Sequence, residues 1–182
     1  MALTYTPNDT LGLQCPDFNT RATDGRHYQL ADFDKYTTLC FLFICIHFLY
    51  VQAIEQRIIE LNRYFKNQSV CMIGVCSNDA NEYPEDSFEN IQLTWQNKNY
   101  NFPYLYDDSQ QMAKDFGAVC TPDIFVYNQE RSLCYRGRFD DSWKDPQKVS
   151  KQELKQAIED VLAKKPISFD PLPSMGCSIK WK

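Results

Sequence analysis

Eight cysteines and only two histidines, His27 and His47, carry most of the chemistry this chain could perform. One short run, "TLCFLFICIHFLYVQAIEQR" (residues 38–57), places Cys45 and His47 two apart, where an apolar segment gives way to a helical pattern. Thiolate, not thiol, is the nucleophile, and a helix N-terminus favours thiolate through its unsatisfied N–H groups and its dipole. Ile46 and Phe48 act the other way, because apolar surroundings disfavour charge on sulfur and imidazole alike. The residues therefore leave two readings of Cys45 open, a working redox thiol or an inert, half-buried one.

A second feature is "CTPD", Cys120 to Asp123, between a predicted helix stop and a predicted strand. Proline after threonine at the start of a strand is a candidate cis peptide. Such a bond would leave backbone groups for an extended peptide or small disulfide to pair against. Zinc chemistry is not indicated by spacing. Structural zinc wants two close Cys or His pairs, whereas Cys71 and Cys76 share one predicted strand. No metal, nucleotide or haem is expected.

The elements around these residues read as α/β. Residues 14–36 suggest an N-terminal hairpin turning at Asp24-Gly25, and 37–45 a buried strand. Val51, Ile54, Ile58, Leu61 and Phe65 then recur on one helical face. "SVCMIGVCS" is a second strand, Phe88, Ile91 and Trp95 mark a second helix, and "FPYLYD" is extended. "SQQMAKDFGA" predicts a helix capped by Ser109 and stopped by Gly117. "DIFVYN" and "SLCYRGRF" form an antiparallel hairpin, and Ser150 with Glu153 suggests a capping box for a last helix ended by Pro166. Early alternation of strands and helices implies parallel pairing, with the late hairpin antiparallel. The expectation is one domain over residues 1–182, a mixed central sheet flanked by helices, with an irregular tail at 166–182.

Composition excludes several classes. A hydrophobic fraction of 43% supports a core, and a net charge of -5 lacks the basic face that nucleic acid needs. The apolar run from Thr38 to Val51 is shorter than the ~18 residues of a membrane span. "MALTYTPNDTLGLQCPDF" lacks the pattern of a secretory leader, so the cysteines are expected to be mostly reduced, in the cytoplasm.

The strand–Cys–helix junction and the Thr-Pro entry to a later strand resemble a thioredoxin fold. "DFNTRATDGRHYQLADF" is similar to the opening of the alkyl hydroperoxide reductase / thiol-specific antioxidant group, the peroxiredoxin-like branch. "SNDANEYPEDS", "FPYLYDDSQQMAKDFGAVCTPDIFVY", "YRGRFDDS" and "GCSIKWK" resemble one subgroup of it, over roughly residues 12–182. That subgroup has Cys-Asn-His-Cys-Pro-Tyr-Val where this chain reads "CIHFLYV": Cys45, His47, Tyr50 and Val51 match, and Ile46, Phe48 and Leu49 do not.

The resemblance implies a thiol–disulfide or peroxide oxidoreductase in which Cys45 attacks. Because the Thr-Pro loop of such a fold faces the active-site helix, Cys120 is the expected resolving thiol, with Cys177 second. His47, Thr121 and Pro122 would contact substrate, a disulfide-containing protein or a hydroperoxide, and a thiol donor would complete the cycle. A homodimer is compatible with this reading. The rival is a catalytically silent binding module whose contact patch is Ile46, Phe48 and Leu49. Asp79, Asp86, Asp140 and Asp141 are expected to hold turns and caps, with Arg136 paired to one of them.

Overall fold

Six consecutive buried residues, Thr38–Phe43, form the central strand of a computed structural model that describes residues 3–7 and 10–182. Residues 1, 2, 8 and 9, part of the stretch read above for a leader, lie outside the described residues. Elements are numbered along the chain: β1 (Leu3–Tyr5), β2 (Asn19–Arg21), β3 (His27–Gln29), β4 (Thr38–Phe43), α1 (Leu49–Phe65), β5 (Val70–Cys76) and α2 (Phe88–Asn97) come first. Then come β6 (Tyr104–Tyr106), α3 (Gln111–Phe116), β7 (Cys120–Thr121), β8 (Asp123–Tyr127), β9 (Leu133–Arg136), α4 (Glu153–Leu162) and β10 (Met175–Ser178).

The main sheet runs β6-β5-β4-β8-β9. β4 pairs in parallel with β5, from Thr38↔Val70 to Phe43↔Val75, and antiparallel with β8. Both faces are covered, so β4 is apolar without alternation. Cys40 and Leu42 enter the core beneath α1, α2 and α4, while Leu39, Phe41 and Phe43 enter the core shared with α3 and the N-terminal segment. This is the mixed α/β arrangement expected from the sequence, and it is thioredoxin-like.

Local signals account for many boundaries. Gly25 (φ +84) turns the β2–β3 hairpin, and Gly117 (φ +66) ends α3 in the left-handed region that glycine enters freely. α1 buries Val51, Ile54, Ile58, Leu61 and Phe65, as its periodicity predicts. The Thr121-Pro122 peptide is cis.

Three expectations need correction. Ser150 and Glu153 form no capping box: Ser150 gives its N–H and hydroxyl to Asp141, and Glu153 pairs with Arg138. The first turn of α3 is held chiefly by Asp107, which accepts from the N–H groups of Met112 (3.3 Å) and Ala113 (2.9 Å), while Ser109 accepts only from Gln111. The tail is not irregular throughout, because β10 pairs antiparallel with both β1 and β7. A competing acid near in sequence decided the α3 case, and partners farther along the chain decided the other two.

Candidate active site around Cys45

β4 delivers the chain to Ile44, whose N–H still bonds Val75 (2.9 Å), and Cys45 follows before α1 begins. Phe48 takes the N-cap position with an extended backbone (φ -87, ψ 135). The Cys45 sulfur thus lies at the mouth of α1, with the N–H groups of His47 and Phe48 facing it. Across from it comes Thr121, its Oγ1 at 3.4 Å from Sγ.

Burial outweighs these favourable groups. Cys45 is 1% exposed, and desolvation, then the charge of Asp86, push its thiol up to about 12 against the Thr121 hydroxyl and the two N–H groups. The helix terminus alone does not activate this cysteine.

Asp86 is the residue that sequence reasoning placed among turn-holders, and it reaches the site itself. It ends a short 3₁₀ turn, Pro84–Asp86, and is fully buried. Its Oδ1 accepts from the Ile46 N–H (3.1 Å), and its Oδ2 accepts from the Asn78 amide (2.7 Å). Oδ2 also lies 2.9 Å from His47 Nδ1. The His47 ring is held between Phe48 (centroids 3.9 Å apart) and Tyr83 (5.8 Å, near-parallel). Its side chain is 21% exposed, the most open part of the cluster. Cys45, His47 and Asp86 together offer a sulfur, an imidazole nitrogen and a carboxylate oxygen within 4.8 Å of one another, a donor set able to hold a metal ion. Pairwise spacing could not reveal it, since the third donor is remote in sequence.

The other predicted residues fall as follows. Thr121, not Cys120, turns its side chain to Cys45. Cys120 precedes it on β7, where successive side chains point to opposite faces, and its Sγ donates to the Pro122 carbonyl (3.5 Å). Pro122 is buried and lines a groove of about 160 Å3 with Tyr5, Tyr50, Trp143 and Met175. Cys76, at the end of β5, shares a core cluster with Cys45. Cys177 is on β10, opposite Thr121 in register. None of the eight cysteines is in a disulfide.

The apolar replacements do not form one patch. Phe48 is 3% exposed and belongs to the core, while Leu49 beside it is 73% exposed. Arg136 pairs with Asp123, through Nη2–Oδ2 at 2.7 Å and Nε–Oδ1 at 3.1 Å, rather than with any of the four acids expected. Asp140 pairs with Arg57, and Asp79 accepts from the Asn81 N–H.

Comparison with known proteins places this geometry. A hypothetical protein of Sinorhizobium meliloti 1021 is 35% identical over 98% of each chain, with a TM-score of 0.94. An uncharacterized conserved protein of Geobacillus kaustophilus is 34% identical, covering 100% of this chain and 97% of its own, also at 0.94. A peroxidoxin of Mycobacterium tuberculosis shares the fold at 15% identity, over 85% of this chain and 94% of its own, with a TM-score of 0.59. No curated protein matches the chain. Among the described residues, no helix is long and apolar enough to cross a membrane. The AhpC/TSA family model matches residues 11–136, a span holding Cys45, His47, Asp86 and the Thr121-Pro122 step, and the chain belongs to the AhpC/TSA family.

Proposed function

We propose that the protein is a thiol-based oxidoreductase acting through Cys45. The observation that carries this reading is the approach of Cys45 Sγ to Thr121 Oγ1, 3.4 Å, at the N-terminal mouth of α1 and beside cis-Pro122. Family membership supports thioredoxin-like redox chemistry at that junction.

In the reaction, Cys45 loses its proton to solvent and the thiolate attacks one sulfur of a substrate disulfide. That S–S bond breaks, a mixed disulfide forms and the leaving sulfur departs as thiolate. With a hydroperoxide the sulfur takes one oxygen, giving sulfenic acid as the alcohol leaves. His47, Thr121 and Pro122 would contact substrate, and the groove beside Pro122 offers an aromatic wall for an extended chain. A second thiol then attacks the oxidised Cys45. Cys120 would fill this role if the β7 edge turns over, and an external thiol donor needs no such change. Reduced cysteines suit a cytoplasmic setting, and a homodimer is compatible with this reading without being required by it.

The test is insulin-disulfide reduction and peroxide consumption by the chelator-treated wild type and by Cys45→Ser. Activity above background in the wild type and lost in the variant is expected. Equal background rates would overturn the reading and favour a binding role, for which exposed Leu49, rather than buried Phe48, would supply the contact. Peptide mapping of the oxidised protein separates a Cys45–Cys120 disulfide from a mixed disulfide with the donor.

A further inference from the structure

The imidazole of His47 is in an unusual position. Its Nδ1 lies 2.9 Å from Asp86 Oδ2, an ion-pair distance, and this buried nitrogen has no hydrogen-bond partner among the described residues. A metal ion held between the two atoms would give this nitrogen the partner it lacks. With metal–nitrogen and metal–oxygen bonds of ~2.0–2.1 Å, neighbouring donors of a tetrahedral site stand roughly 3.3–3.4 Å apart, so the His47–Asp86 pair at 2.9 Å opens by about 0.4 Å on binding.

We propose that Cys45, His47 and Asp86 form a binding site for one transition-metal dication of the zinc class, with its fourth coordination position open to an exogenous ligand. The inference shares Cys45 with the redox reading but does not rest on it. It stands on the convergence of Sγ, Nδ1 and a carboxylate oxygen within 4.8 Å. A sulfur bound at ~2.3 Å would sit about 3.5 Å from the other donors, so closure from a separation of up to 4.8 Å needs up to about 1.3 Å of movement by the Cys45 side chain.

Charge and donor type agree with this assignment. Thiolate, carboxylate and dication sum to zero, which suits a site where Asp86 is 0% and Cys45 1% exposed. One sulfur with one imidazole selects zinc, cobalt or copper over magnesium or calcium, which take oxygen. On binding, the thiol proton goes to solvent and a sulfur–metal bond replaces the S–H bond. Surrounding groups already orient the donors: the Ile46 N–H and the Asn78 amide fix the carboxylate, and Phe48 and Tyr83 fix the ring. Lys180 is the nearby cation, 5.0 Å from the Phe48 ring, with its ammonium on the carbonyl and hydroxyl of Ser178. The side-chain exposure of His47 supplies the entry path.

The experiment titrates the chelator-treated full chain with Co2+ and follows visible d–d absorption and the sulfur-to-cobalt charge-transfer band. A saturable 1:1 complex, displaced stoichiometrically by Zn2+, is expected. The charge-transfer band should vanish in Cys45→Ser, and Asn78→Ala should weaken binding by about 10–100-fold. His47→Ala and Asp86→Asn should weaken it further, each checked for folding by circular dichroism. Independently of any variant, Zn2+ should protect Cys45 of the wild type from alkylation, read by mass spectrometry. Absence of a 1:1 complex, a band that persists in Cys45→Ser, or unprotected Cys45 would overturn the site. The disulfide-exchange assay is run on metal-free protein, so either result can fail while the other stands.

Discussion

Asp86 Oδ1 accepts the backbone N–H of Ile46 at 3.1 Å across 40 residues of sequence. That single bond ties the polar loop after β5 to the segment between β4 and α1, and it sets a carboxylate beside the candidate thiol. The acid raises the affinity of Cys45 for its proton while holding the backbone that presents it.

The first prediction separates those two effects. Asp86→Asn keeps an acceptor for Ile46 and removes the charge. Alkylation of Cys45 by iodoacetamide, followed by mass spectrometry in metal-free buffer, should become faster at fixed pH, by up to about 10-fold for each unit by which the thiol is lowered. An unchanged rate would show that burial alone controls this sulfur.

Cys45 is also expected to make stability depend on alkaline pH. Its thiol is held at about 12 in the folded chain, above the ~8.5 of a free cysteine. The folded state therefore keeps a proton that the unfolded state gives up. The resulting stability is fully present below about pH 8.5 and is lost as pH rises toward the folded value. Between about pH 9 and 10.5, urea unfolding of the wild type should weaken with pH more steeply than that of Cys45→Ser, by up to about 1.4 kcal/mol per pH unit. Parallel slopes would show that the buried thiol finds solvent readily.

Gly176 makes the third prediction. A β-carbon there would stand 2.2 Å from the Thr121 carbonyl oxygen, so β10 can lie against β7 only with glycine at this position. Gly176→Ala must push Thr121 away from Cys45 or lift the strand. A loss of roughly 1–3 kcal/mol in urea unfolding, as for other overpacked sites, together with faster Cys45 alkylation, is expected. A variant as stable and as unreactive as the wild type would contradict this contact.

Rebuilding the motif tests what Phe48 and Leu49 replaced. The backbone accepts the change: Leu49 is the first residue of α1, where proline is favoured, and Phe48 already has the extended conformation a following proline demands. The cost lies in Phe48, whose ring is core, so Phe48→Cys should lose about 3 kcal/mol or more of stability. Phe48→Cys with Leu49→Pro should nevertheless raise insulin-disulfide reduction, read at a temperature where circular dichroism shows the variant folded. A flat response would count against the shared chemistry.

The sequence carried the frame of this site more fully than its contents. The strand leading to Cys45, the onset of α1, the stop at Gly117 and the cis step at Pro122 each follow from a local signal that one short window contains. What escaped notice depends on pairs distant along the chain. Asp86 has the composition of a turn residue and gives no sign that it will meet Ile46 and His47. Arg136 finds Asp123 across the β8–β9 hairpin, in preference to Asp140 and Asp141, which are nearer in sequence. Phe48 reads as an exposed replacement in the motif, and only packing reveals it as core. Cys120 illustrates the same limit: adjacency to Thr121 in sequence means the opposite side in a strand.

The pairing of β10 with β7 has a consequence for the order in which the molecule is made. Ser174, whose hydroxyl donates to the Pro122 carbonyl at 2.7 Å, is 52 residues downstream of it. A ribosome therefore delivers the central sheet and its thiol well before the strand that seals the β7 edge. Until that strand arrives, β7 lacks the partner it has in the folded chain.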